Sequence, residues 1–389
     1  MSIRFVNATT LRENELQNRS VAVEDGCISK GPHPEVDLEG YYVLPGIIDL
    51  HGDAFERHIA PRPRAPFDIR SALRGVDVEL AANGVTTAWM AHSWSWEGGR
   101  RSPEHAIKFA NALRAYRKDA RTNMRIQLRC ETHTTDTYDD LIKCINDFGI
   151  DYVIFNNHLP EAQDIIAQDM DAFGAWAAQV GKTSDEHLAC VRAAEAQQAR
   201  VHDHLLHLSS AFDDMQIRYG SHDDATSDMR EYYALLGAKI CEFPTTVDAA
   251  KTAKQINNPV LMGAPNIVRG GSQSGNVSAI DLVRADLCDA LVSDYYYPAL
   301  SQAATQLWQT GELSLPKAWN LISKNPAAIM GKASIGSIDY GMRADLVIMN
   351  KETLQIEATL CDGRIAYASG EAANRLFKAS TNKPAIAAE

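Results

Sequence analysis

The chain has 389 residues, 45% hydrophobic and 23% charged, and its 50 acidic against 38 basic side chains leave a formal net charge of −12. That length allows a large core in one big domain or two ordinary ones, and the charge speaks against broad nucleic-acid binding. There is no apolar run of about 18 residues to span a membrane and no secretory-type start, and seven cysteines without a C-x-x-C pair favour reduced thiols in a cytoplasmic protein.

Residues 1–42 read as short strands at 3–7, 20–24 and 27–29, with Asp25-Gly26 as a tight turn. Near the other end the same pattern returns at 344–349, 356–360 and 364–367, with Asp362-Gly363 as the turn. Two strand-rich flanks predict one small composite β-domain built from 1–42 and 335–378. The stretch 379–389 has no periodicity and is expected to be a flexible tail.

Between the flanks, residues 43–334 alternate strand-like and helix-like segments. Strands are predicted at 43–50, 85–91, 125–129, 152–156, 216–219, 239–243, 259–262 and 290–292. Helical patterns lie between them, among them 71–82, 103–118, 185–212 and 224–236. Eight strands with helical crossovers match the size and rhythm of a (β/α)8 TIM-type barrel. A doubly wound sheet is the alternative, but no G-x-G-x-x-G follows an early strand.

A barrel of this kind carries its site at the C-terminal ends of its strands, so the residues closing each apolar run matter most. The first run ends in His51-Gly52-Asp53. Residues two apart on a strand share a face, so the imidazole and the carboxylate can point into one site. Glu131 closes the third run, His158 follows the fourth, His222 the fifth and Asp294 the eighth. Imidazoles and carboxylates are the ligands of zinc and related divalent ions, and a carboxylate such as Glu131 can bridge two of them. Asp294 is then either a ligand or the base that takes the proton of the attacking water. Each residue also has a plainer reading: a lone histidine is usually a hydrogen-bonded loop residue, Asp223 and Asp224 can cap a helix, and Glu131 can pair with an arginine. The case rests on five strand ends carrying such groups together.

His202, His204 and His207 look like a metal motif but are read as packing or surface residues. Val201, Leu205, Leu208 and Phe212 make a helical stripe through them, and helical positions two apart do not face each other.

Two segments could hold an anion. Arg269-Gly270-Gly271-Ser272 and Ser274 follow the seventh run, where glycines let backbone N–H groups approach phosphate and the arginine adds a bidentate fork. Arg57 and Arg62 follow the first run beside stiffening prolines. A turn-rich loop and a solvated tether are the plain alternatives.

At these segments the chain resembles the amidohydrolase superfamily, and most of all its phosphonate-metabolism branch, the α-D-ribose 1-methylphosphonate 5-triphosphate diphosphatase-like enzymes. The text that carries the likeness runs from Leu44 through Asp53 to Glu56-Arg57-His58 and Pro61-Arg62-Pro63. It continues in Leu128-Arg129-Cys130-Glu131, Ser221-His222-Asp223-Asp224, Glu242-Phe243-Pro244, Gly263-Ala264-Pro265-Asn266 with the Arg269 glycine loop, and Ser293-Asp294-Tyr295-Tyr296. The resemblance implies a divalent metal site of one or two ions, zinc first and manganese second. His51, Asp53, Glu131, His158 and His222 would be ligands and Asp294 a ligand or the catalytic base. It implies hydrolysis of the phosphoanhydride of a ribosyl-phosphonate triphosphate, with release of diphosphate. The chain departs from the branch at Gly52, where relatives carry Thr. It departs again at Asn156-Asn157-His158-Leu159-Pro160-Glu161-Ala162, where they carry Met-Asp-His-Thr-Pro-Gly-Gln.

The expected partner is therefore an anionic phosphorylated small molecule, with no nucleic acid and no membrane, and the expected assembly is a homo-oligomer. Two other readings stand beside it: a metal hydrolase of cyclic amides, amidines or esters, and a barrel scaffold without catalysis.

Overall fold

The computed structural model describes residues 2–62, 65–272 and 275–381. Its centre is an eight-stranded parallel sheet in sequential order: Ile47–Gly52, Val85–Trp94, Asn123–Glu131, Tyr152–Asn156, Arg218–His222, Ile240–Glu242, Val260–Gly263 and Ala290–Val292. The ring closes where Gly52 bridges Asp294 and their neighbours exchange two backbone bonds, Asp294 N to His51 O at 2.9 Å and Asp53 N to Asp294 O at 2.8 Å. These strands are short apolar runs buried on both faces, as a parallel sheet covered by helices requires. The interior is filled by Ile48, Leu50, Trp89, Tyr152, Ile154, Leu261 and Val292 and is a packed core rather than a channel. The expected (β/α)8 barrel is present.

Two further sheets come from the chain ends. One orders Cys27–Ser29, Val21–Glu24, Ile3–Val6 and Glu35–Asp37; the other joins Arg364–Ala368, Ile356–Cys361 and Leu346–Asn350 to Tyr41–Pro45, Thr9–Arg12 and Glu15–Gln17. Phe5, Val23, Val43, Leu346, Ile348 and Leu360 share one core between them. Both predicted turns form, with positive φ at Asp25-Gly26 and at Asp362-Gly363.

Several expected bounds move. The run at 43–50 is two strands, because Tyr41–Pro45 belongs to the terminal sheet and the barrel begins at Ile47. Gly46 makes the switch, since a Cβ there would lie 2.4 Å from Thr86 Oγ1. The helix expected at 185–212 is Ser184–Glu195 and Val201–Asp214, separated by a short 3-10 turn. The fifth strand lies two residues later than expected, and its last residue is His222. Val268 and Arg269 belong to a short helix, Ala264–Arg269, instead of a loop. The last helix, Gly370–Thr381, runs three residues into the expected tail, whose residues 382–389 lie outside the described residues. Among the described residues no helix is long and apolar enough to cross a membrane. All seven cysteines are free.

Candidate metal centre and anion pocket

Three residues that close barrel strands, or nearly do, meet at the centre of the C-terminal face. His51 is the penultimate residue of the first strand, and His222 and Glu242 end the fifth and sixth. Glu242 Oε2 accepts from His51 Nδ1 at 2.9 Å and from His222 Nδ1 at 2.8 Å. Its other oxygen accepts from Gln127 Nε2 at 2.9 Å and from Tyr152 Oη at 3.3 Å. A carboxylate this deeply buried is costly unless every lone pair is met, and here four donors meet it. Burial alone would raise the Glu242 pKa, but the two imidazoles hold it well below the usual carboxylate range. Burial works against a charged His51, and the Glu242 carboxylate outweighs it to leave that imidazole above its ordinary value.

The rings of His51 and His222 stack 5.4 Å apart, and Phe243 meets both edge-on at 5.1 and 5.0 Å. Phe243 reaches this place through a left-handed backbone, φ 53°, and Asp223 and Asp294 leave their strands in the same way at 58° and 55°. Such conformations are strained for side chains other than glycine and Asn or Asp, and they cluster at functional sites.

Chemically, the cluster fits a divalent cation. His51, His222 and Glu242 bring one ligand atom each within 4.8 Å of one another. With each Nδ1 facing the carboxylate, each ring keeps its Nε2 on the other side, that of His222 lying 3.5 Å from both an Arg129 terminal nitrogen and Asp223 Oδ2. Two more carboxylates sit close by and carry high proton affinity. Burial, then Glu56, raise Asp53 to about 6 in spite of Arg129, and burial raises Asp294. A cation among them would relieve this crowding.

A cavity of about 220 Å³ opens over the cluster, lined by His51, His222 and Asp294 together with Arg129, Arg269, Gly271, Ser272, Asn266 and Tyr295. Arg269 donates to Tyr295 Oη at 3.1 Å from the end of its short helix. Gly270 caps that helix in the left-handed conformation, φ 81°, and turns the chain so that Gly271 and Ser272 border the cavity.

The structure thus gathers His51, His222, Asp294, Arg269, Gly271 and Ser272 around one space. It treats the other predicted residues differently. Asp53 lies beside the group, its Oδ2 3.9 Å from Arg129. Glu131 and His158 pair with each other through a short contact, and Glu131 also accepts from Trp96 Nε1 at 3.3 Å. Burial opposes the Glu131 charge, yet His158 brings that carboxyl down to about 2. Arg57 is held by Glu79 and by the Tyr295 carbonyl at 3.1 Å. Arg62 is exposed in the loop after the first strand, and Ser274 lies outside the described residues. His204 is buried in its helix while His202 meets Tyr232 Oη at 3.1 Å, in keeping with packing and surface roles.

Gly52 has a local cause. A Cβ there would sit 2.6 Å from both Asp49 Oδ2 and Ser293 Oγ. Those two atoms bond each other at 2.6 Å and tie the first strand to the eighth. Glu242 is the residue the strand-end reading missed. It sits inside an apolar run instead of after it, and a lone carboxylate in a buried strand was the available signal. Arg129, likewise inside a run, was also passed over.

Residues 42–367 match the amidohydrolase family. Over 364 residues the chain is 34% identical to the alpha-D-ribose 1-methylphosphonate 5-triphosphate diphosphatase of Escherichia coli strain K12, covering 89% of this chain and 94% of that protein. Among solved structures, N-acetylglucosamine-6-phosphate deacetylase from Pasteurella multocida superposes with a TM-score of 0.60 at 13% identity, covering 94% of this chain and 99% of that one. Dihydropyrimidinase from Brevibacillus agri gives 0.62 at 12% identity and 95% of each chain. At such identities these two describe the fold alone.

Proposed function

The chain belongs to the amidohydrolase family, and from that premise we propose that it is a metal-dependent hydrolase of a phosphoanhydride, releasing diphosphate from a ribosyl-phosphonate 5-triphosphate. The observation that carries this reading is the cavity itself. His51 and His222 of the candidate metal cluster line it together with Arg269, Gly271 and Ser272, an arrangement that supports a phosphorylated substrate beside a divalent ion. The 34% identity to a triphosphate diphosphatase supports the same substrate class.

His51 and His222 would hold the metal, with Glu242 as a third donor or as the carboxylate that orients the two rings, and Asp53 and Asp294 would supply negative charge beside it. Zinc suits imidazole and carboxylate donors, with manganese the second candidate. Such an ion polarises a phosphoryl oxygen and makes water a better nucleophile. Asp294, its proton affinity raised by burial, takes the proton as water oxygen attacks phosphorus and the P–O bond to the leaving diphosphate breaks. Glu131 and His158 neutralise each other, so a second ion would have to displace that pairing.

The test is diphosphate release from a ribose 5-triphosphate bearing a 1-phosphonate, by zinc- or manganese-loaded protein, with cyclic amides and esters as a control panel. Absence of release with either metal sinks the reading. Asp294→Asn should lower kcat by about 10²- to 10⁴-fold. Arg269→Ala should mainly raise KM, as for a group that grips ground state and transition state alike.

A further inference from the structure

One cation in the cavity has no part in that scheme. Arg129 stands third from the end of the third barrel strand, its side chain 15% exposed, on the wall shared with His51, His222, Asp294 and Arg269. Its Nε is buried and, among the described residues, has no hydrogen-bond partner, which is equally true of Arg12 and Arg230, so what distinguishes Arg129 is its terminal nitrogens. One terminal nitrogen is 3.5 Å from His222 Nε2, and the other is 3.9 Å from Asp53 Oδ2. Both are long for a hydrogen bond, the first to a ring nitrogen and the second to a carboxylate oxygen. The charge of Arg129 is nonetheless balanced at longer range by Asp53, Glu131 and Asp294.

Other arginines of the interior are tied down through their terminal nitrogens. Arg230 donates to Ser221 Oγ, Asp224 Oδ2 and two backbone carbonyls, and Arg101 donates to both oxygens of Glu97. Arg129 is held in position by a rigid strand and by carboxylates, with its two terminal nitrogens making only these long contacts beside the cluster. A planar fork of N–H donors, preorganised in a partly dry site, matches the oxygens of a tetrahedral anion.

We propose that Arg129 binds the phosphoryl group under attack, at the floor of the cavity, while Arg269 at the exposed rim holds the outer phosphates. The division of labour follows from depth: a buried donor beside the metal cluster meets charge that develops during reaction, and an exposed one meets charge already present in the substrate. This rests on the phosphoanhydride reading, and the guanidinium is a catalytic residue in it.

Arg129→Gln and Arg129→Lys are compared with wild type for kcat, KM, bound metal by elemental analysis, melting temperature, and affinity for inorganic phosphate by titration calorimetry. Arg129→Gln should lose about 10²- to 10³-fold in kcat with KM little changed, whereas Arg269→Ala does the reverse. Phosphate affinity should fall about tenfold, with metal content and melting temperature kept. Arg129→Lys should restore only a minor part of kcat, since an ammonium lacks the fork. Wild-type kcat and phosphate affinity in Arg129→Gln overturn the assignment. So does a loss in both variants that tracks lost metal or a lowered melting temperature, because that is a structural role. If wild type releases no diphosphate, the phosphoanhydride reading fails separately, and the phosphate titration still judges Arg129.

Discussion

His51 and His222 stack with ring centroids 5.4 Å apart and planes at 24°; His92 and His105 stack at 5.2 Å and 25°. The two pairs share residue type and ring geometry, and they differ in what stands behind the rings. The first pair gives both Nδ1 protons to a buried carboxylate, Glu242. In the second, His92 Nδ1 meets the Ser93 carbonyl at 2.9 Å and Nε2 meets His105 Nδ1 at 3.0 Å, among the rings of Phe55 and Phe109. The Ser93 carbonyl favours a charged His92 less than burial opposes it, so burial takes His92 down to about 4, and burial together with the neighbouring His92 takes His105 to about 4. Glu242 gives its pair a negative partner and raises His51, and the lack of such a partner leaves the other pair to packing.

Removing one ring from each pair should separate them most widely. His222→Ala should abolish turnover at any substrate concentration, while His105→Ala leaves turnover near wild type; equal losses in steady-state assays would erase the distinction. Next in size is Glu242→Gln, which keeps the shape but removes the charge. Metal affinity should fall about 10- to 100-fold, measured by competition with a chelating dye, because an outer partner is lost. Complete loss would make Glu242 a ligand instead.

The second pair predicts a pH effect on stability. His92 titrates near 6.5 when unfolded and near 4 when folded, so its neutral form is the folded one. Its contribution is complete above pH 6.5 and is lost as pH falls toward 4, by about 3 kcal/mol. His92→Gln should reduce that slope in urea melts at pH 6.5, 5 and 4, leaving the part that belongs to His105. The smallest effect belongs to the exposed His202. Its replacement by Ala should change stability by less than about 0.5 kcal/mol, which the same melts would detect.

Much of this was legible in the residue order. Apolar runs of four to eight, separated by helical patterns, indicate a barrel because each strand must be covered on both faces. His51, His222 and Asp294 follow from asking what closes each run. Glu131 and His158 show the limit of that question. Both stand at strand ends as expected, yet their side chains turn to each other, a choice made by the distance between the third and fourth strands and invisible in either segment alone. Arg57 is likewise paired with Glu79, from the long helix that follows the first strand.

What the sequence determined by itself was the barrel, the two-ended β-sheets and a face rich in imidazole and carboxylate, since periodicity and turn chemistry are local properties. Only the tertiary structure decided which histidines share a carboxylate, that Glu242 is that carboxylate, and that Arg129 stands on the wall of the same cavity. Those outcomes depend on side chains up to 191 residues apart meeting within hydrogen-bond reach in a buried site, where pairing outweighs the cost of desolvation.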